Sequence, residues 1–416
     1  MITETQGQGA THRCSLIIQA AIIAMAVLMA ILFSGCNGLD RKPARDEVMT
    51  QLSSYSYPRF SDDLNYDGLE HCISQSLAYL RKIPEDRKFV FGGDQYDTLH
   101  MIKSLEYFLE YTRSNPSPGD IKEFIKANYL VYRSVGRYGR YEVLYTVYYE
   151  PHLRGSLFQS EEYPHPIYAR PQDLISIDLS LFSDKYKGEK IVGRYTDETV
   201  VPYYDREDIE SQNALTGKAE VLAWVKDPID VFFLQIQGSG KVYLDNGEVI
   251  NVHYHATNGR PYRSIGKLLI DENKITAEEM SMQKIRAYLD MHPEQMDYVF
   301  NYNPSYVFFK IEPDGPLGNI NVRLTPGRSI ALDRRIFPPA ALVYINTQKP
   351  LIDSTGNITG WSEFSRFALN QDTGGAIRGP GRADLFWGNG NYAEIAAGHL
   401  KYPGNLYFMI LKPDQP

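Results

Sequence analysis

Asn370-Gln371-Asp372-Thr373-Gly374-Gly375-Ala376-Ile377-Arg378-Gly379-Pro380-Gly381-Arg382-Ala383-Asp384-Leu385-Phe386-Trp387-Gly388 sets two aspartates in a glycine-rich run that ends on an apolar triplet. Glycine at this density reads as loops and turns. The triplet Leu385-Phe386-Trp387 puts apolar and aromatic groups beside the Asp384 carboxyl. Burial disfavours the charged form and raises an aspartate's pKa. Lifting it from roughly 3.9 to near neutrality costs roughly 4 kcal/mol, at about 1.4 per tenfold. Apolar packing and a neighbouring carboxylate, Asp372 or Asp333, could supply that. On these residues alone, Asp384 reads either as a turn or cap residue or as a general acid.

Outward from this stretch, the last hundred residues read as short strands punctuated by Gly and Pro. Strands also dominate from Tyr141 to about Phe309. Tyr141–Tyr149 is rich in Val, Leu and Tyr, Asp230–Ile236 reads as a strand, and Val242–Leu244 pairs with Val249–His253 across Asp245-Asn246-Gly247. One helix interrupts them, with Thr276 as its cap, Glu279 completing a capping box and Ile275 stapling onto Met280. The front is helical. Asp67-Gly68-Leu69-Glu70 opens one helix like a capping box. Leu99, Ile102, Leu105 and Leu109 mark a second, and Ser117-Pro118 starts a third. The pattern predicts a mainly β chain with helices at the front, for which β-barrel domains are the natural packing.

The chain has 416 residues, 43% of them hydrophobic, enough for one large domain or two ordinary ones. The formal charge of −8 and the lack of a basic run argue against a nucleic-acid partner. The 31 tyrosines suit β-structure and half-buried surface; aromatic faces lining a sugar cleft are the second reading. Cys14, Cys36 and Cys72 are odd in number and lack CxxC spacing, which argues against a disulfide framework or a zinc site. Cys72 falls on an apolar-periodic segment and reads as a core residue.

Arg13 precedes an apolar run from Leu16 to Phe33, followed by Ser34-Gly35-Cys36. Such a run is a signal h-region or a membrane-spanning helix. Small residues before Cys36 resemble a bacterial lipoprotein cleavage site, where the cysteine becomes the lipidated first residue. The expectation is a signal peptide over 1–36, lipidation at Cys36, a polar tether over 37–57 and a membrane-anchored body. By the same resemblance, Asn37 points to the outer membrane, with the body facing the periplasm.

Gln235-Ile236-Gln237-Gly238-Ser239-Gly240-Lys241 ends an apolar run in a Gly-rich turn. It fails as a phosphate loop because GxxxxGK[ST] is not matched. A tight turn and a ligand loop both stay open. Asn258–Lys267 reads as a surface loop.

Taken together, several motifs in order carry a resemblance. They are Asp333 in Leu332-Asp333-Arg334-Arg335-Ile336-Phe337-Pro338-Pro339 with Asp372 and Asp384, Tyr148-Tyr149-Glu150-Pro151, Gln235–Gly240, Thr257-Asn258-Gly259-Arg260-Pro261-Tyr262, Asn303-Pro304-Ser305-Tyr306, and Leu324-Thr325-Pro326. From Tyr141 onward the chain resembles the membrane-bound lytic murein transglycosylase A family, with its C-terminal three-aspartate "3D" domain. The resemblance implies a double-psi β-barrel over 58–150 and 313–416, a second, smaller β-barrel inserted over 151–312, and a substrate groove between them. It implies a peptidoglycan lytic exotransglycosylase that cuts the β-1,4 bond after MurNAc and leaves 1,6-anhydro ends. The family's catalytic aspartate falls on Asp384 and its supporting aspartate on Asp372, while Asp333 is structural. Tyr148, Tyr149, Gln237, Ser239 and Lys241 would contact saccharide. The partners implied are glycan strands and a membrane, with no metal or cofactor. A hydrolytic glycosidase and a non-catalytic glycan-binding lipoprotein are the alternatives.

Overall fold

The structure, a computed structural model, describes residues 47–413. The leader, Cys14, Cys36 and the first part of the expected tether lie outside the described residues. The tether is shorter at its far end than the polar composition suggested. Met49–Gln51 is a strand paired with Tyr129–Ser134, and Val48 and Met49 are buried.

The chain is mainly β, with two barrels and peripheral helices. In the first barrel the strands run Leu342–Ile352, Ile358–Asp372, Ser329–Ala331, Arg382–Phe386, Val143–Tyr148 and Lys401–Leu411. The last pairs back onto the first, which closes the ring. Two of its contacts, Ser329–Ala331 with Ile358–Asp372 and Arg382–Phe386 with Val143–Tyr148, are parallel. Closure abolishes the exposed edges of an open sheet. These strands are not all short. Ile358–Asp372 has 15 residues, and both Leu342–Ile352 and Lys401–Leu411 have 11. The helices Leu69–Leu80, Thr98–Thr112 and Pro118–Asn128 pack their apolar stripes onto this barrel in one continuous core that also holds Cys72. The first of them starts at Gly68, which has a left-handed φ of 72° and gives no side-chain cap, rather than at a capping box.

The second barrel orders its strands Val307–Glu312, Val249–Thr257, Ser239–Leu244, His152–Ser156, Val221–Val225 and His165–Tyr168. A single bridge between Ala169 and Phe309 joins its two ends. The expected hairpin is present within it. Ile175–Asp178, Lys190–Thr196 and Thr199–Pro202 form a separate three-stranded sheet that packs on the insert through Val192 and Arg194.

Three local readings are corrected. Pro228–Gln237 is a helix, not a strand. Asp227 caps it, Pro228 occupies its first turn, and Gly238 stops it with a left-handed φ of 83°. The helix expected from Thr276 starts instead at Ser281 and covers Met282–Met291; Thr276 and Glu279 bond each other within a turn. Asn258–Lys267 is only partly a surface loop, because Asn258 is fully buried and Ser264 caps the helix Ile265–Asp271.

Candidate active site

Ala331 is the centre of the site. It pairs in parallel register with Asp372 on one side and antiparallel with Asp384 on the other. Partners on one rung point to the same face of a sheet, so both carboxyls flank a small side chain that leaves space between them. A bulge at Gln371 sets this register, since Ile330 opposes Asn370 and Ala331 opposes Asp372. Bulges re-aim side chains in this way next to active sites. Buried Gln371 is held by Ser329, Ser76 and the Cys72 carbonyl.

The two aspartates are supported unequally. Asp384 receives one hydrogen bond, from Thr146 Oγ1 to Oδ1 at 2.7 Å. Arg382 in turn donates to Thr146 Oγ1 at 3.2 Å. Asp372 receives three: the Tyr148 hydroxyl donates to Oδ2 at 2.6 Å, and the amides of Asn319 and Thr373 donate to Oδ1 at 2.9 and 2.8 Å. Both side chains keep some solvent contact yet are densely surrounded, as at the floor of a cleft. Desolvation pushes the Asp384 carboxyl up, against the pull of Thr146 and Arg382. Desolvation also raises Asp372, to about 6, and the charge of Asp384 adds to this. Two neighbouring carboxyls that resist joint ionisation retain a proton above the usual carboxylate range. Burial and hydrogen bonding disagree on where it rests: the larger rise is at Asp372, whereas three donors favour the charged form of Asp372 and only one does so at Asp384. The counted donors are the firmer guide and favour Asp384 as the holder.

Asp333 has a separate task. Its fully buried carboxyl takes a forked bond from Arg335 and accepts from the Gly379 amide at 2.8 Å, which pins the loop between the two aspartates. Burial raises its pKa, but the Arg335 bonds and the Gly379 amide outweigh this and hold it below the ordinary range. It is therefore not the neighbour that lifts Asp384.

The expected saccharide contacts lie at the junction of the barrels. Gln237 Oε1 accepts from the Tyr149 amide at 3.0 Å, and Lys241 Nζ lies 3.7 Å from Glu150. Asn389 of the first barrel donates to the same Glu150 carboxylate at 3.3 Å. Ser239 and the Tyr149 ring are almost fully buried. Tyr148 stands beside Phe386 and reaches Asp372. Sequence reasoning missed Thr146, Asn319, Arg382 and Glu150 as site residues. Thr146 could have been found, since it shares a strand face with Tyr148 by period-two alternation. Asn319 sits in a Gly- and Pro-punctuated strap with no periodic signal.

Two hollows, of about 240 and 410 Å³, are lined by Trp387, Tyr392 and Arg366 and by Glu312, Asp314 and Arg323 respectively; neither includes Asp372 or Asp384. Among the described residues no cluster of His, Cys, Asp and Glu could hold a metal.

Fold and site together define a class: a double-psi β-barrel with a second barrel inserted and an acidic pair on one rung of the first. Residues 144–310 match the model of the MltA specific insert domain, and residues 328–410 match the 3D domain. The chain belongs to the membrane-bound lytic murein transglycosylase A family. It is 30% identical over 280 residues to membrane-bound lytic murein transglycosylase A of Escherichia coli strain K12, covering 65% of this chain and 66% of that protein. The Vibrio cholerae protein of the same name is 32% identical over 204 residues, 48% of this chain and 54% of its own length. The alignments thus span less than two thirds of these relatives. A crystal structure of membrane-bound lytic murein transglycosylase from Agrobacterium tumefaciens superposes with a TM-score of 0.70 at 27% identity, covering 88% of this chain and 98% of the other.

Proposed function

We propose that this protein is a lytic transglycosylase of peptidoglycan. The observation that carries the reading is the unequal pair across Ala331. Thr146 occupies Oδ1 of Asp384, which leaves Oδ2 to carry the proton. Protonated Asp384 gives that proton to the glycosidic oxygen as the β-1,4 bond after MurNAc breaks. The carboxylate then takes a proton from the MurNAc C6 hydroxyl, and that oxygen closes on C1 as a 1,6-anhydro ring. One group serves as acid and then base, and no water is consumed. Asp372 supports the positive charge developing on the sugar. A hydrolase needs a second working carboxyl; here three donors already occupy Asp372, which favours the lytic reading. Digestion of purified sacculi tests it. Products one water lighter than hydrolysis products are expected, and reducing ends would overturn it.

In this reading the first barrel, over 58–150 and 313–416, carries the catalytic pair, and the insert over 151–312 presents Gln237 and Lys241 to the glycan opposite Tyr148, with buried Ser239 and Tyr149 packed behind them. The relatives' names place them at a membrane. Among the described residues no helix is long and apolar enough to cross one. An acyl chain on Cys36, holding the body to the outer membrane on its periplasmic side, fits the leader. Cys36→Ser should abolish lipid labelling.

A further inference from the structure

On a chain of formal charge −8, arginines gather around the aspartates. Arg334 donates to the Asn319 side chain at 3.0 Å, and the Asn319 amide donates to Asp372. Arg382 reaches Asp384 through Thr146. Arg378 projects from the loop between the aspartates, one residue before the Gly379 amide that Asp333 pins. Arg335 shares Asp333. Arg334, Arg335 and Arg378 are exposed. Among the described residues no carboxylate lies within ion-pair distance of Arg334 or Arg378. The heads are close enough to feel one another: beside partial desolvation, the charge of Arg335 lowers the pKa of Arg378, Asp333 offsets part of this, and Arg334 lowers it further. Like charges held together cost energy unless an anion joins them. Asp333 neutralises one of Arg334, Arg335 and Arg378, so the rim carries an unpaired surplus.

We propose that this arginine rim, with Arg334 and Arg378 as its open members, recognises carboxylates borne on the glycan. This rests on the reading of the site as one that cleaves glycan. Guanidinium groups suit the task because their planar fork meets a carboxylate with two parallel hydrogen bonds. Such carboxylates come from two sources, the lactyl groups of MurNAc and the stem peptides attached to them. Both would lie beside a cut made at MurNAc.

The test measures binding by the full-length protein, silenced by Asp384→Asn, to three soluble ligands. These are peptide-bearing glycan strands, strands stripped of peptide so that only lactyl carboxylates remain, and chitohexaose, which has none. Peptide-bearing strands should bind more tightly than chitohexaose, and added salt should weaken them far more than it weakens chitohexaose. Joint Arg334→Gln and Arg378→Gln substitution should weaken their binding by about tenfold, the scale of two partly exposed ion pairs. Chitohexaose affinity should change less than twofold. Lysine at both positions should restore part of the loss, which a folding defect would not allow. Stripped strands binding like peptide-bearing ones would assign the rim to lactyl groups, and stripped strands binding like chitohexaose would assign it to stem peptides; either supports the proposal. Peptide-bearing strands binding no tighter than chitohexaose would overturn it, as would glutamine variants that weaken all three ligands alike. Failure of the lytic reading shows separately, as missing anhydro ends from the unsubstituted protein.

Discussion

Asp372 is held by three donors and still sits at a pKa of about 6 against an ordinary 3.8. A carboxyl whose folded pKa is raised binds its proton more tightly in the native state. Stability therefore falls as pH rises from about 4 to 6, and above that the whole cost of the charge is present. For a shift of this size the cost is up to about 3 kcal/mol. Asp372→Asn keeps the shape and removes the charge, and the Tyr148 hydroxyl can turn to accept from the amide. The variant should melt at a higher temperature than the parent at pH 8, by about 1–3 kcal/mol in stability, and show little difference at pH 4. Thermal unfolding at the two pH values checks this; equal or lower stability at pH 8 would contradict it. At this scale much was legible. The apolar triplet after Asp384 announced a desolvated carboxyl, and Asp372 was one of the two candidate neighbours. The roles of Thr146 and Tyr148 as hydrogen-bond partners were not, because nothing local shows which of two facing strands a side chain will meet.

Between the barrels, the strap around Gly318 carries the Asn319 amide to Asp372. A Cβ on Gly318 would stand 2.4 Å from the Gln371 carbonyl and 2.7 Å from Leu324, and the carbonyl belongs to the bulge that sets the register of the pair. Gly318→Ala must push the strap away and lose the Asn319 bond, which favours the charged form of Asp372. Activity should fall by about tenfold, the worth of one hydrogen bond to a charged group. The Asp372 pKa should rise further, a shift that carboxyl NMR titration would reveal; an unchanged titration would contradict the account. The Ser117-Pro118 helix start and the Asp245-Asn246-Gly247 hairpin were readable, whereas the capping boxes at Asp67 and Thr276 were not the caps of their helices. Pro228–Gln237 was misread because Val231, Phe232 and Phe233 favour strands, while Asp227-Pro228 before them and Gly238 after them carried the overriding signal. Asn258 misled in the opposite direction. Its amide looks like loop polarity but satisfies the Tyr204 and Pro304 carbonyls and the Tyr306 amide inside the insert.

Across the whole molecule, the barrel depends on the pairing of Val143–Tyr148 with Arg382–Phe386, a contact between distant parts of the chain that no local pattern encodes. That architecture was legible only through several motifs in order. The segment that leads into the first helix is fastened to the barrel by Arg328, which is fully buried and bonds both Asp62 carboxylate oxygens and the Asp67 and Phe367 carbonyls. Arg328→Met strands a buried carboxylate and should cost roughly 3–5 kcal/mol; denaturant unfolding measures it, and a loss below about 1 kcal/mol would show that the pair is not a fastening. The central claim concerns Asp384, and digestion of sacculi by Asp384→Asn beside the parent tests it most directly. The parent should release 1,6-anhydromuramyl ends. The variant should release them at least about a hundredfold more slowly while folding and binding glycan as before, since acid and base are lost together. An Asp384→Asn protein that still produces anhydro ends at the parent's rate would contradict the account.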